Sequence, residues 1–284
     1  MSVIIRIVQP PDYPHWRGLA DVADLLYCAA LDLGEDVRSS MPTCDDRVID
    51  EDVIIFLGWH LLEPEWASRW RARRIIFYNL EQLAAREGIW TPEREQVLRQ
   101  ATEIWDYSPA NIEFLAAHGF TNVKLVPIGY HPALKRIEHK PEAEKDIDVL
   151  FYGSVNDRRN RVLSAIEAMG LKTCVLFGVY GQARDRHIAR AKIVLNMHFY
   201  ETQLFEQVRV SYLLNNGCFV VSERSADTPD YLGGYWGRSY DQLPEVCRFL
   251  LTGSKMDVNR SALARLDADD FAEHPMTEYL RAVL

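Results

Sequence analysis

No two cysteines in this chain are spaced as CxxC; the five lie at 28, 44, 174, 218 and 247. Zinc ribbons and thioredoxin-type redox centres are therefore excluded. An odd number at irregular spacing suits reduced, mostly buried thiols. No apolar run approaches the ~20 residues that span a bilayer. The opening residues, MSVIIRIVQPPDYPHW, show no basic stretch leading into an apolar segment and a cleavage site. A soluble, cytoplasmic protein without a transmembrane segment is the expectation. HExxH, GxGxxG, a Walker loop and a DxD at a strand end are all missing, as are solenoid-length repeats and low-complexity segments. Positive charge is in deficit: 32 Lys and Arg face 41 Asp and Glu. That balance argues against nucleic acid as a partner, although a local basic pocket is compatible with it.

What is present is an ordinary globular composition. The 284 residues are 48% hydrophobic and 26% charged, enough for a core or two. Short Val/Ile-rich runs alternate with amphipathic stretches. Strands are expected at residues 3–8, 53–57, 74–78, 103–107 and 122–127, and helices at 18–33, 93–101 and 109–118. Ser108 and Pro109 are placed to open the last of these helices. Residues 133–146 are charged and read as an interdomain linker. The alternation then restarts, with strands at 147–152, 172–177, 192–197 and 218–222 and helices near 157–169, 183–190, 203–215 and 241–251. One or two more helices form the tail. Two such runs imply an α/β protein of two Rossmann-like domains, 1–135 and 145–284, with the last helices free to pack back on the first. Ligands of such sheets bind beyond the carboxyl ends of the strands.

The densest local signal is GSVNDRRNR, residues 153–161, directly after strand 147–152. Gly153 and Ser154 permit a tight turn, and Asn156 or Asp157 can cap the next helix. Arg158, Arg159 and Arg161 then crowd a helix start that already carries partial positive charge. A bound diphosphate would resolve the conflict. Otherwise the arginines splay into solvent or pair with acids. In the segment 194–223, Asn196 and His198 end a strand, Glu206 lies near a helix start, and Asn216-Gly217 closes that helix. Glu206 suits either a vicinal diol or an i,i+3 pair with Arg209. Tyr180, within Gly178-Val179-Tyr180-Gly181, either stacks on a base or belongs to a plain turn. His198 is either a structural or a substrate-contacting histidine.

This pattern resembles the C-terminal domain of GT-B glycosyltransferases, nearest to the CgeB-like, family 1-type relatives. The likeness covers about residues 145–240; the N-terminal half matches in architecture only. The resemblance implies two Rossmann-like domains across a cleft, with the donor on the C-terminal side and the acceptor on the N-terminal side. It implies a UDP- or GDP-linked sugar as substrate, an unknown acceptor, no cofactor and no catalytic metal. Carried over by residue, Gly153, Ser154, Arg158 and Arg159 hold the donor diphosphate. Glu206 holds the ribose, Tyr180 and His198 line the base and sugar side, and Gly217 and Ser222 match the Gly–apolar strand–Ser ending. Many retaining members carry a Glu-x7-Glu pair; here the earlier position is His198, and Glu201 is out of register. On the acceptor side, strand ends supply Asp12, Gly18, Gly58 and Asn79, with His15, His60 and Glu81 as candidate catalytic residues. Each of these three also fits a loop or capping role. Trp16 and Trp59 are either sugar platforms or core. A non-catalytic GT-B-like binding protein and a nucleotide-sugar epimerase are the alternatives.

Overall fold

The computed structural model describes residues 2–39, 53–67, 72–83, 90–200, 204–225, 227–228, 236–252 and 259–284. Cys44 and Glu201 lie outside the described residues. The chain forms two compact units, Met1–His131 with Pro275–Leu284, and Pro132–His274.

The first unit holds strands β1 (Ser2–Ile7), β2 (Asp36–Ser39), β3 (Val53–Leu57), β4 (Arg74–Asn79), β5 (Glu103–Asp106) and β6 (Val123–Leu125). Its helices are α1 (Ala20–Asp32), α2 (Pro64–Ala67), α3 (Pro92–Leu98) and α4 (Pro109–Ala117). Pairing is parallel throughout, in the order β2-β1-β3-β4-β5-β6. Every residue of β3 is buried, so both faces of the sheet are covered there, as an unbroken VIIFL run requires. Phe56, Phe77, Ile104, Leu98 and Leu115 share one core.

The second unit holds β7 (Ile147–Tyr152), β8 (Thr173–Leu176), β9 (Ala191–Asn196), β10 (Val220–Glu223) and β11 (Trp236–Arg238). Its helices are α5 (Asp157–Ala168), α6 (Gly181–Ile188), α7 (Gln207–Asn215), α8 (Leu243–Thr252) and α9 (Arg260–Ala272). The sheet is parallel, in the order β11-β10-β9-β7-β8. Phe151, Val149, Ile193, Leu195 and Val221 pack with Val162, Ile166 and Cys247.

Each strand read from the sequence is present within a residue or two. Two short edge strands, β2 and β11, were not foreseen; neither carries the apolar run that marks the others. The helix expected near 203 starts at Gln207, because Glu206 takes the N-cap with φ −81° and ψ 68°. Ser108 occupies the α4 cap, yet its side chain makes no cap bond.

The charged segment 133–146 belongs to the second unit. Its Leu134 and Ile137 are buried, and the backbone N–H groups of Arg136 and Ile137 both donate to Asn216 Oδ1, at 2.7 and 3.0 Å. The last helix, α10 (Met276–Arg281), packs on α1 within the first unit. No described helix is long and apolar enough to cross a membrane.

Candidate functional site

In the second sheet β7 lies between β8 and β9. Successive crossovers therefore leave β7 in opposite directions and open a crevice at its carboxyl end, where ligands of open α/β sheets bind. Gly153 follows β7 at that point with φ 129°. The backbone there favours glycine, and a Cβ would stand 2.8 Å from Arg209 Nη2, so a side chain would displace that guanidinium. Asn156 caps α5, its Oδ1 accepting from Arg159 N at 3.0 Å. Its Nδ2 donates to Phe199 O at 2.9 Å, tying the turn after β7 to the loop after β9.

Three guanidinium groups and two carboxylates meet at this edge. Arg158 forms a bidentate pair with Glu223, at the end of β10, and donates to His198 O at 3.0 Å. It also stacks on Tyr240, 4.1 Å from the ring centroid. Arg159 donates to Ser154 O (2.9 Å), His198 O (3.3 Å), Met197 O and Glu206 Oε1 (2.5 Å). Arg209 donates to Asn196 Oδ1 (2.8 Å) and pairs with Glu206 Oε2 at 2.7 Å. Side-chain exposure separates the roles. Arg159 is 3% exposed and wholly engaged, so it organises the turn; Arg158 and Arg209, at 13% and 12%, keep an open edge. Arg161 is exposed on α5.

The electrostatics follow from burial. Desolvation pulls Arg159 down to about 10, partly offset by Glu206, so it stays charged at neutral pH. Burial by itself would raise the Glu206 carboxyl, but Arg209 and Arg159 outweigh it and hold the group below its ordinary range. His198, fully buried, is pushed down by desolvation against the pull of Glu223 and Glu206, which favours the neutral ring. Its Nε2 lies 2.8 Å from Ser225 Oγ. Within this cluster, among the described residues, three guanidinium groups meet two carboxylates.

The Glu206–Arg209 pair foreseen at i,i+3 is present, but it is not a solvent-exposed helix pair worth a few tenths of a kcal/mol. It is a partly buried three-centre contact that includes Arg159. Ser222 is fully buried, accepting from Asn196 Nδ2 at 2.9 Å and donating to Glu223 O. Gly217 (φ 63°) ends α7 as expected. Tyr180 stands at the N-cap of α6, half-buried. Glu223 was not foreseen. Its signal was a carboxylate closing an otherwise apolar strand, VVSE, which must find a cation once the strand is buried.

In the first unit, β1 sits between β2 and β3, so the corresponding crevice lies after β1 and β3. His15 follows β1 in a 3-10 turn, Pro14–Leu19, edge-on to Tyr13 at 5.3 Å. His60 and Glu81 come together: Nε2 and Oε1 are 3.5 Å apart. Trp59 is fully buried, so it is core rather than a platform, and its Nε1 donates to Asn79 Oδ1 at 3.0 Å. Trp16 is half-buried beside Arg17. Among the described residues, no group of three or more His, Cys, Asp or Glu is arranged to hold a metal.

No family model matches the chain. Two uncharacterized proteins of Acanthamoeba polyphaga mimivirus share segments with it. L138 is 36% identical over 67 residues, 23% of this chain and 8% of that protein. L137 is 26% identical over 154 residues, 53% of this chain and 20% of that protein. The matched regions thus span a small part of either relative. Solved structures align over nearly the whole chain. T4 phage BGT in complex with its UDP-glucose substrate superposes with TM-score 0.60 at 13% identity, over 99% of this chain and 98% of that one. This is the GT-B fold. A glycosyltransferase from Rickettsia africae ESF-5 gives 0.56 at 8% identity, over 99% and 97%. Sucrose-phosphate synthase from Thermosynechococcus elongatus gives 0.54 at 11%, over 99% and 94%. At these identities the likeness establishes architecture, and the chemistry has to come from the residues.

Proposed function

We propose that this chain transfers a glycosyl group from a UDP- or GDP-linked sugar to an acceptor hydroxyl, the second unit holding the donor. The observation that carries this reading is the cluster of Arg158, Arg159 and Arg209 against Glu206 and Glu223 at the switch point of the second sheet. An excess cation, the exposed turn residue Ser154 and the start of α5 converge where a diphosphate would lie. Arg158 and Arg209 face the anion, and Arg159 fixes the turn that presents it. Positive charge there offsets the charge developing on the leaving diphosphate. Glu206 would accept from a ribose diol on its exposed side and Tyr180 would line the donor, whereas His198, fully buried, supports the loop behind it rather than touching the sugar. In the first unit, His60 and Glu81 form the polar end of the acceptor side, and His15, after β1, is the third candidate there.

Donor chemistry of this kind appears in T4 phage BGT, which has been seen with UDP-glucose and with UDP and Mn2+. That enzyme is described as DNA-modifying. A net charge of −9 argues for a different, non-polyanionic acceptor here. The occupied state of Glu206, paired with two arginines, favours a second reading: a nucleotide-binding protein without turnover.

Isothermal titration with UDP, GDP and their sugar conjugates, with and without Mn2+, tests the binding step. Donor hydrolysis or transfer, with DNA among the acceptors, then separates enzyme from binder. Absence of binding to every nucleotide diphosphate in the panel would refute both readings.

A further inference from the structure

We propose that Asp106 is a positioning residue: through Asn79 and Asn111 it holds the segment that sets Glu81 against His60. This rests on the reading above for what the His60–Glu81 pair does, not for whether the positioning exists.

The case begins with register. Asn79 closes β4 and Asp106 closes β5, and the two are direct neighbours in the ladder. Both are fully buried, as are Trp59, Ser108 and Asn111. Buried polar side chains at the carboxyl ends of strands are costly unless satisfied, and here Asn79, Asp106, Asn111 and Trp59 satisfy one another while the Ser108 hydroxyl stays unpaired among the described residues. Asp106 Oδ2 accepts from Asn79 Nδ2 at 2.6 Å, and Oδ1 accepts from Ser108 N at 2.8 Å and Asn111 Nδ2 at 3.1 Å.

An amide side chain is nearly symmetric in shape, so packing alone does not choose which end is oxygen. A carboxylate only accepts, so Asp106 draws the NH2 of both amides toward itself. That choice points Asn79 Oδ1 at Trp59 Nε1 (3.0 Å) and Glu81 N (3.2 Å), and Asn111 Oδ1 at Leu83 N (3.0 Å). The second N–H of each amide then reaches Glu81 O, at 2.9 and 2.8 Å. The backbone of Glu81 is thus gripped at both its N–H and its carbonyl. His60 is anchored through the same hub, because Trp59, its neighbour in the 3-10 turn Trp59–Leu61, is tied to Asn79. Both members of the 3.5 Å pair hang from one amide whose orientation Asp106 decides.

The test compares Asp106→Asn with Glu81→Gln in the full chain at about pH 8, where the carboxylate is ionised. Asp106→Asn keeps the shape but sets NH2 against NH2. Three readouts are followed by NMR: the 15N shifts of the His60 imidazole, the indole N–H of Trp59, and exchange protection of the Glu81 and Leu83 amides. The expectation is that Asp106→Asn moves the His60 resonances to where Glu81→Gln puts them. It also shifts the Trp59 indole N–H upfield and lowers protection of the two amides by about tenfold or more. If Asp106→Asn does not fold, Asn111→Ala releases Leu83 N and removes one of the two donors to Glu81 O, while leaving Asp106 on Asn79. The His60 shift is then expected with the Trp59 signal held. Parental His60 resonances in both network variants, while Glu81→Gln moves them, would overturn the proposal, and so would a Glu81→Gln that leaves His60 unmoved. A merely structural Asp106 lowers the melting temperature without touching these signals. Titration of UDP and GDP into the same samples reads the donor site separately, so failure of the glycosyl-transfer reading is visible as lost nucleotide binding alone.

Discussion

Replacing Glu206 by Gln tests the donor site most directly, because it changes two quantities in opposite senses. Glu206 bridges Arg159 at 2.5 Å and Arg209 at 2.7 Å, with 16% of its side chain exposed. Losing the carboxylate leaves two guanidinium groups in a mostly desolvated place. Breaking a buried pair from one side costs about 3–5 kcal/mol, and the retained amide oxygen favours the low end. Spread over a urea slope of about 2 kcal/mol/M, a loss near 3 kcal/mol moves the midpoint of the second unit by about 1.5 M. The anion site responds the other way. Three cations would face one carboxylate instead of two, so inorganic pyrophosphate should bind more tightly. A nucleotide diphosphate gains the same anion term but loses charge-assisted bonds to its ribose diol. The ratio of UDP to pyrophosphate affinity should therefore fall by roughly tenfold, about 1.4 kcal/mol. Calorimetry of both ligands against parent and variant measures that ratio. If pyrophosphate affinity rises and the ratio stays fixed, Glu206 balances charge and does not read the ribose. If both ligands are unaffected, the anion site lies elsewhere.

Three further outcomes are expected. Gly153→Ala places a methyl 2.8 Å from Arg209 Nη2 at φ 129°; a stability loss of about 1–3 kcal/mol should accompany an approximately tenfold drop in UDP affinity. Normal affinity would show that Arg209 does not face the ligand. Burial pushes the Asp106 carboxyl from 3.8 up to about 7 against the donors Asn79, Ser108 and Asn111. From about pH 4 to 7 the folded first unit then keeps a proton that the unfolded chain has released, so its stability falls as pH rises and levels off above that window. Urea melts across the range should show this slope and lose it in Asp106→Asn. Leu280, fully buried in α10, packs on the first unit; Leu280→Ala should cost about 2–5 kcal/mol there, with hydrogen exchange in the second unit unchanged.

Much of this architecture is legible in one dimension because parallel strands buried on both faces read as apolar runs. VIIFL, IDVLFY and KIVLN announce themselves, and the position after each run announces a candidate ligand residue. DVRS and WGR are short edge strands without such a run, so their neighbours, rather than their own residues, make them strands. The charged stretch 133–146 illustrates the converse. Its composition suggests solvent, while Leu134 and Ile137 dock it, and Asn216, about 80 residues on, takes two of its N–H groups. Arg158, Arg159, Glu206 and His198 were visible as residue types in suggestive places. Their partners were not, because Glu223 lies 65 residues from Arg158 and Glu206 lies 47 from Arg159.

The pairings also change what the residues mean. An arginine beside a strand end looks like an open phosphate clamp only until its partners are counted. Arg159 spends its donors on three carbonyls and a carboxylate, which makes it part of the scaffold of the turn. Arg158 is held by Glu223 and Tyr240 but reaches the surface, and Arg209, foreseen only as a helix-pair partner, reaches over Gly153. A cation fixed in place before the ligand arrives loses little side-chain freedom when it binds, and that pre-organisation is worth affinity. The carboxylates that hold these arginines weaken the net field yet aim it. On the proposed reading, a site built this way would favour a compact, doubly charged anion in one orientation over loosely placed charge. That is the discrimination a leaving nucleoside diphosphate needs when guanidinium groups share in offsetting its charge.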